Sequence, residues 1–452
     1  MPVIASEADK NQNPDRLFQA AVAQYDAGHF PEAARQLEFL ARQLPESFEV
    51  QELLGLVYAS ESDESKANEH LAKAVQLKPS SAEARTNLAT NLVHLGKLMP
   101  AESEFKKAVE LDPASYDTNH NLGEFYVAAG KLTDAATYLQ KAQQMSPTAY
   151  DNGYDLALAY LETGRTNDSR SVARDLLKQK NTAELHNLLG QIEEKDGNFV
   201  PAEMEYQTAA HMDPSESNLF DWGSELLVHR TLDAAIDVFQ SATAHYPKSA
   251  RLAIGLGMSL YSRGNYDDAV KALLKAADLS PTDSRCYYFL SKAYDSSPGQ
   301  AEEVIRRFRR FVELQPQDAH APYYYAMSLW KGRRAEDANL DLSQIRSLLE
   351  KSIALDPSLA EAHLQLGNLY ADQQKYADAI PQYKLALREN DELADAHYRL
   401  GQAYVHSGQK DLAQEQLQKY QRLRAAQMAE LDKQRAEIRQ FVISEKETGK
   451  QQ

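Results

Sequence analysis

The chain of 452 residues is poor in several features that would define a function directly. It contains one cysteine, Cys286, so an intramolecular disulfide bond and a cysteine-based metal site are both excluded. No apolar run approaches the roughly 20 residues that a helix needs to cross a bilayer. We therefore expect no insertion into a membrane.

Positive charge is also scarce, with 49 basic against 66 acidic residues and a formal net charge of −17. Phosphate backbones and anionic membrane surfaces are bound by basic patches, so the balance argues against nucleic acid as the main partner and against an anionic membrane surface. Two interpretations of the acidity stay open. One is solubility, and the other is an acidic groove that receives a basic partner.

The N-terminus has neither a basic start nor a long apolar stretch, so it does not have the pattern of an intact signal peptide. The absence of this pattern favours a cytoplasmic protein. A trimmed mature start would instead indicate export, and the scarcity of cysteine fits either compartment.

Short catalytic motifs are missing as well. The sequence has no Walker loop, no Gly-x-Ser-x-Gly elbow and no His-Glu-x-x-His, and Leu260 replaces the third glycine of a dinucleotide-type spacing that begins at Gly255. His363 and His397 occupy equivalent places 34 residues apart, and we interpret them as packed, hydrogen-bonded residues rather than ligands of a shared metal. We predict that the protein is not an enzyme and has no cofactor, catalytic residue or metal site.

The sequence does contain a repeat of nearly constant length. A small residue, preceded in every unit but the first by a large apolar one, recurs at intervals of 33 to 35 residues, with one interval of 41, and a period of this size is typical of a solenoid. The small residues are Ala21, Gly55, Ala89, Gly123, Ala157, Gly190, Gly223, Gly257, Ser291, Ala326, Gly367 and Gly401.

Each period predicts two helices. Large residues one before and three after the small residue share one face of a first helix. A turn follows, and glycine there suits the left-handed position that ends a helix. A second helix carries alanines seven residues apart, such as Ala67 and Ala74, and a proline such as Pro79 ends it.

The leucine–glycine pair, the tyrosine three residues later, the two alanines and the closing proline together resemble the tetratricopeptide repeat. About twelve such units follow one another. The resemblance implies an all-α fold, an α-solenoid in which antiparallel helix pairs form a right-handed superhelix with a C-terminal capping helix. It also implies that the first helices line a concave groove and the second helices form the convex back.

The pattern predicts five segments. Residues 1–13 are a disordered N-terminus, and residues 14–427 are the tandem array. An insertion near 331–342 explains the long interval. Residues 428–444 continue the C-terminal helix, and 445–452 are a flexible tail.

Aromatic residues and methionine, which protein interfaces enrich, gather at predicted groove positions in the second half of the chain. Some relatives carry asparagine rows along the groove, and here two asparagines hold matching places. The resulting candidate partner-binding residues are Asn87, Asn121, Phe220, Met258, Tyr261, Tyr288, Phe289, Lys292, Tyr324, Met327 and Tyr398. Several of these aromatic residues have the alternative of closing the core.

One local group of basic residues contrasts with the net negative charge of the chain. Its members, Arg306, Arg309, Arg310, Arg333 and Arg334, fall on a second helix and in the insertion. One interpretation is a face neutralised by nearby glutamates. The other is a docking edge for an acidic surface, including a second copy of this chain.

The function predicted from the resemblance is a non-enzymatic scaffold that binds a protein or peptide along the concave groove. Two alternatives stay open. One is a self-assembling structural protein that forms head-to-tail oligomers or filaments, and the other is an accessory subunit of a glycan-assembly or secretion system.

Overall fold

The computed structural model describes residues 13–297, 299–332 and 342–448, with side chains as far as residue 429. These parts of the chain contain twenty-four α-helices and no strand. The helices form two compact units, which divide between Pro214 and Ser215. The fold is all-α, and consecutive helices pack in antiparallel pairs as in an α-solenoid.

Unit 1 contains six helix pairs. They are α1 (Pro14–Asp26) with α2 (Phe30–Gln43), α3 (Phe48–Ser60) with α4 (Glu64–Leu77), α5 (Ala82–His94) with α6 (Leu98–Leu111), α7 (Tyr116–Ala128) with α8 (Leu132–Met145), α9 (Tyr150–Glu162) with α10 (Thr166–Gln179), and α11 (Ala183–Lys195) with α12 (Phe199–Met212).

Unit 2 contains six more. They are α13 (Glu216–Val228) with α14 (Leu232–His245), α15 (Ala250–Arg263) with α16 (Tyr266–Leu279), α17 (Ser284–Ser296) with α18 (Ala301–Leu314), α19 (His320–Lys331) with α20 (Leu342–Leu355), α21 (Ala360–Asp372) with α22 (Tyr376–Glu389), and α23 (Ala394–His406) with α24 (Lys410–Thr448).

The closing prolines end the second helices as the sequence predicts. α4 ends at Leu77, two residues before Pro79, and α16 ends two residues before Pro281. The residue before a proline is sterically driven out of the helical region, so the helix stops ahead of it. A serine then starts the next helix: the Ser81 hydroxyl accepts a hydrogen bond from the Ala84 N–H at 3.2 Å.

The turn inside each pair also follows the prediction. Seven glycines at the end of first helices have φ between +70° and +94°. They are Gly28, Gly96, Gly130, Gly164, Gly197, Gly264 and Gly408. The left-handed conformation costs glycine nothing sterically, so the chain reverses here without strain.

The periodic small residue lets the two helices of a pair approach closely. A Cβ atom built on Gly123 would lie 2.6 Å from Leu139 Cδ2, and one built on Gly55 would lie 2.7 Å from Leu71 Cδ2. The alanines of the second helices, such as Ala67, are fully buried against their neighbours. The core of each unit is therefore a series of clusters between neighbouring helices rather than a single centre.

The last helix is much longer than its partner. α24 begins at Lys410 and continues to Thr448, whereas α23 spans thirteen residues. Its first turns pack against α23, with Ala413 buried and the rings of Tyr398 and Tyr420 5.1 Å apart. The helix thus runs four residues past the end predicted at 444.

Some predictions fall outside the described residues. These are the disordered segment 1–12, nearly all of the insertion near 331–342, and the last four residues of the tail. Asn13, the last residue of the predicted disordered segment, caps α1 by accepting a hydrogen bond from the Asp15 N–H at 3.0 Å.

Candidate functional site

The first helices of unit 2 lie side by side. α13 contacts α15, α15 contacts α17, α17 contacts α19, and α21 contacts α23. We call the surface that they share the first-helix face of unit 2. Two clefts on this face contain most of the candidate residues from the second half of the sequence.

The first is an apolar cleft of about 310 Å³ between α13, α15 and α17. Its floor is Phe239, whose ring meets Phe220 edge-on at 6.1 Å, and Gly255 makes room for that ring. Its rim includes Val228, which is 67% exposed. The lining residues are Phe220, Ser224, Leu227, Val228, Phe239, Arg251, Ile254, Gly255, Met258, Arg285 and Phe289.

Two arginines line the apolar cleft, and both have acidic partners. The Arg251 guanidinium lies over the Phe220 ring, 4.5 Å from its centroid, and its Nε is 3.4 Å from Glu216 Oε1. The Arg285 Nη2 is 2.6 Å from Asp283 Oδ2 and lowers the pKa of that carboxyl. The cleft is therefore apolar inside with neutralised charge at its rim.

The second is a smaller tyrosine cleft of about 90 Å³ between α17, α19 and the start of α21. Tyr288 is 46% exposed, whereas Tyr324 is only 6% exposed. Burial raises the pKa of Tyr323 and of Tyr324, so both hydroxyls stay protonated at physiological pH. The lining residues are Tyr288, Ser291, Lys292, Asp295, His320, Tyr323, Tyr324, Met327, Leu359 and Glu361.

The structure brings seven of the predicted residues to these clefts. Phe220, Met258 and Phe289 line the apolar cleft, and Tyr288, Lys292, Tyr324 and Met327 line the tyrosine cleft. Sequence reasoning missed Arg251, Arg285, His320 and Glu361. They are charged or polar residues near the starts of first helices, outside the apolar pattern used to select the others.

Four predicted residues lie elsewhere. Tyr261 packs against Tyr266 with 5.7 Å between ring centroids, and Tyr398 packs against α24. In unit 1, the Asn87 amide donates to Glu52 Oε1 at 3.4 Å, and the Asn121 amide donates to the Asp117 carbonyl at 2.7 Å. Both asparagine amides are thus engaged within their own unit.

The arginines of α18 form ion pairs and hydrogen bonds with other residues of the same chain. Arg306 pairs with Glu303, the Arg309 Nε donates to the Tyr325 hydroxyl at 3.0 Å, and the Arg310 Nη2 donates to the Ala277 carbonyl at 2.5 Å. Arg333 and Arg334 lie outside the described residues.

The two equivalent histidines are packed and hydrogen-bonded, as predicted. His363 Nδ1 is 2.8 Å from Gln382 Oε1, and His397 Nδ1 is 2.7 Å from Gln416 Oε1. Among the side chains that the structure describes, no three His, Cys, Asp or Glu residues are grouped so that they could hold a metal ion. Within the same part of the chain, no helix combines the length and apolarity needed to cross a membrane.

Comparison with known proteins identifies the class. Family models for the tetratricopeptide repeat match residues 18–82, 86–150 and 220–284, and others match 126–192, 367–408 and 394–427. The chain belongs to the tetratricopeptide repeat family. Proteins of this family are in general protein-interaction scaffolds.

Individual relatives are distant. TPR repeat-containing protein YpiA of Bacillus subtilis (strain 168) is 22% identical over 251 residues, which are 48% of this chain and 57% of YpiA. Superkiller protein 3 of Schizosaccharomyces pombe is 28% identical over 124 residues, 27% of this chain and 9% of that protein. The chain thus spans little more than half of one relative and under a tenth of the other.

Among solved structures, a tetratricopeptide repeat protein from Parabacteroides merdae aligns with a TM-score of 0.42 at 15% sequence identity. The alignment covers 54% of this chain and 98% of that one.

Proposed function

We propose that this protein is a non-enzymatic scaffold whose unit 2 binds a segment of a partner protein, with an apolar side chain of that segment in the apolar cleft. The observation that supports this most directly is the cleft itself, which three successive first helices line with Phe220, Met258 and Phe289. Enclosing a leucine or phenylalanine side chain there would contribute about 1.5–3 kcal/mol.

The composition of the cleft supports a protein segment as the ligand. A methionine such as Met258 adapts to side chains of different shape, and aromatic rings supply large contact areas with little loss of side-chain freedom. The arginines bring no unpaired charge into the cleft, because each is held at the rim by a carboxylate. An apolar centre with a charged rim is the usual anatomy of a protein interface.

Site-specific photo-cross-linking tests the proposal in the full-length chain. p-Benzoylphenylalanine placed at Val228, on the rim of the cleft, should cross-link a defined partner segment, whereas the same group at Met99 of unit 1 should not. Met99 is a fair control because it is 84% exposed and lies on a helix. Equal cross-linking of the same segment at both positions would contradict the proposal.

A variant pair then measures the contribution of the cleft. Met258→Glu buries a carboxylate in the apolar cleft and should weaken binding of the cross-linked segment, made as a synthetic peptide, by at least about ten-fold. Met258→Leu keeps the volume and apolarity and should bind within a few-fold of the natural protein. Isothermal titration calorimetry measures both, and equal affinities for the two variants would refute the role of this cleft.

Self-assembly is a second candidate, supported by α24. The helix is 39 residues long against the 13 of its partner α23, and Leu412 and Met428 on it are 41% and 49% exposed. If copies associate through this helix, the mass from light scattering should rise with concentration above 50.7 kDa, and deletion from Ala426 onward should abolish the rise. A constant monomer mass would exclude this candidate.

An accessory role in glycan assembly or secretion would instead be decided by the identity of the cross-linked partner.

A further inference from the structure

The tyrosine cleft contains a tyrosine hydroxyl that has no hydrogen-bond partner among the described residues. Tyr324 is 6% exposed and lines the cleft, and its hydroxyl makes no hydrogen bond to any residue that the structure describes. A tyrosine hydroxyl that opens into a cleft and has no partner within the protein keeps its capacity to donate and to accept a hydrogen bond. The Tyr324 hydroxyl is therefore available to a ligand group that enters the cleft.

Aromatic faces surround this position. The rings of Tyr323 and Tyr324 meet edge-on with 5.6 Å between their centroids, and Tyr288 on α17 forms another wall. The face of an aromatic ring carries partial negative charge and attracts cations. One such contact is present at the rim, where the Lys292 ammonium lies 5.6 Å from the centroid of the Tyr288 ring.

A carboxylate completes the cleft. Glu361 lines it from the start of α21 and makes no ion pair with any other described residue. Burial is the main cause of the raised pKa of Tyr323 and of Tyr324. The charge of Glu361 raises both pKa values further, which reflects its closeness to their hydroxyls. A carboxylate without a counter-ion beside aromatic rings favours an incoming positive charge.

The other charged groups of the cleft are largely paired. Asp295 Oδ1 is 2.5 Å from Lys331 Nζ, and His320 Nδ1 is 3.5 Å from Asp318 Oδ1. Lys292 is the one unpaired cation among the described lining residues, and it lies at the exposed rim over Tyr288. The cleft thus presents tyrosine hydroxyls, with the exposed Glu361 carboxylate at its mouth.

From this arrangement we propose that the tyrosine cleft binds the cationic head of a lysine or arginine side chain, with Glu361 as its counter-ion and the Tyr324 hydroxyl as a hydrogen-bond acceptor. The proposal rests on the proposed function, since the cation belongs to the same partner segment that fills the apolar cleft. The net charge of −17 suits a basic segment. The partner motif would therefore combine an apolar residue with a basic one.

The two clefts carry built-in reporters, because Met327 lines the tyrosine cleft and Met258 lines the apolar cleft. Full-length protein labelled with ¹³C in the methionine methyl groups can be titrated with Nα-acetyl-lysine N-methylamide. The matched probe is Nα-acetyl-norleucine N-methylamide, which has the same side chain without the ammonium group. Single side chains bind weakly, so we expect saturation on the order of 1 mM or above.

The lysine probe should shift the Met327 methyl resonance, and the norleucine probe should shift that of Met258 and leave Met327 in place. Equal shifts of Met327 with both probes, or a shift of Met327 with Nα-acetyl-glutamate amide, would overturn the cation site. Failure of norleucine to move Met258 would count against the proposed function instead. The two failures are therefore distinguishable.

Three variants complete the test. Glu361→Gln should weaken the lysine response at Met327 roughly five-fold while the norleucine response at Met258 is unchanged. Glu302→Gln on α18, outside the cleft, should change neither. Lys292→Gln removes a like charge from the rim and should strengthen the lysine response. An unaltered lysine response in Glu361→Gln, with an unchanged norleucine response at Met258 showing that unit 2 is intact, would refute the proposal.

Discussion

At the scale of single residues, one position of the first helix repeatedly donates a hydrogen bond to the carbonyl six residues earlier. Gln51 donates to the Pro45 carbonyl at 3.2 Å, Asn119 to that of Pro113 at 3.1 Å, and Tyr287 to that of Pro281 at 3.1 Å. His363 and His397 hold the same position. The shared property is a donor that satisfies the carbonyl at the preceding turn.

The sequence showed only part of this pattern. His363 and His397 were recognisable as equivalent because they are identical, and their interpretation as packed residues is confirmed. Gln51, Asn119 and Tyr287 have different side chains in the same register. A search for repeated residue types could not group them, because they share the capacity to donate a hydrogen bond and not the residue type.

The left-handed turn position was also only partly predictable from the sequence. Glycine marks it in seven repeats, and the conformation there is confirmed. Ser62, Arg230 and Gln374 take the equivalent places with φ near +60°. A side chain in this region meets its own backbone, which costs roughly 1–2 kcal/mol relative to the right-handed conformation.

Gln374→Gly should therefore stabilise the protein by about 0.5–1 kcal/mol, since the relief of strain exceeds the added freedom of glycine in the unfolded chain. Gln374→Ala is the control, because it removes the side chain but keeps the Cβ atom that causes the strain. Thermal unfolding followed by circular dichroism compares them. A stabilisation that is equal in both variants would show that the rest of the glutamine side chain is responsible.

At the scale of elements, the contact between the two helices of a pair depends on the periodic small residue. Gly123 faces Leu139 across the pair α7–α8, with no room for a Cβ atom. The corresponding Ala89 faces Phe105, and both are buried. The sequence predicted the small column, whereas the fit of each member to its partner depends on both side chains together.

Gly123→Ala should destabilise unit 1 by about 1–3 kcal/mol, because the added methyl group overlaps the Leu139 side chain. Leu139→Ala alone should cost about 2–5 kcal/mol by opening a cavity. In the double variant the new methyl occupies part of that cavity, so the loss should be less than the sum of the two. Urea unfolding of all four proteins completes the cycle, and strict additivity would show that the two residues do not interact.

The candidate site was predictable at the level of helices rather than side chains. The resemblance placed partner binding on first helices, and seven selected residues line clefts there. Periodicity cannot tell whether an aromatic ring on that face enters the core or the cleft. The Tyr324 ring is buried and its edge also lines the cleft. Tyr261 instead packs against Tyr266 within the helix pair α15–α16.

At the scale of the whole molecule, the single thiol reports on opening of unit 2. Cys286 is fully buried, its S–H donates to the Asp283 carbonyl at 3.0 Å, and burial raises the pKa of the thiol to about 12. Because an unfolded cysteine has a pKa near 8.5, the thiolate fraction at pH 8 should fall roughly a thousand-fold on folding. Labelling therefore requires α17 to open.

The folded protein should accordingly react with dithionitrobenzoate at pH 8 at least about a hundred times more slowly than the protein in guanidinium chloride. Leu290→Ala, which opens a cavity beside α17, should accelerate the reaction, whereas Leu54→Ala in unit 1 serves as the control. A native rate equal to that of free glutathione would contradict the burial of this thiol.

Helix α17 separates the two clefts and forms a wall of each. Phe289 lines the apolar cleft, Tyr288 lines the tyrosine cleft, and their rings meet edge-on at 5.0 Å. A segment that fills both clefts has to cross this helix, so the order of its two anchors along the chain fixes the direction in which it lies. Two peptides of identical composition and opposite anchor order would then be different ligands. A search for partners by composition alone would miss this distinction, whereas a search for a directional motif would retain it.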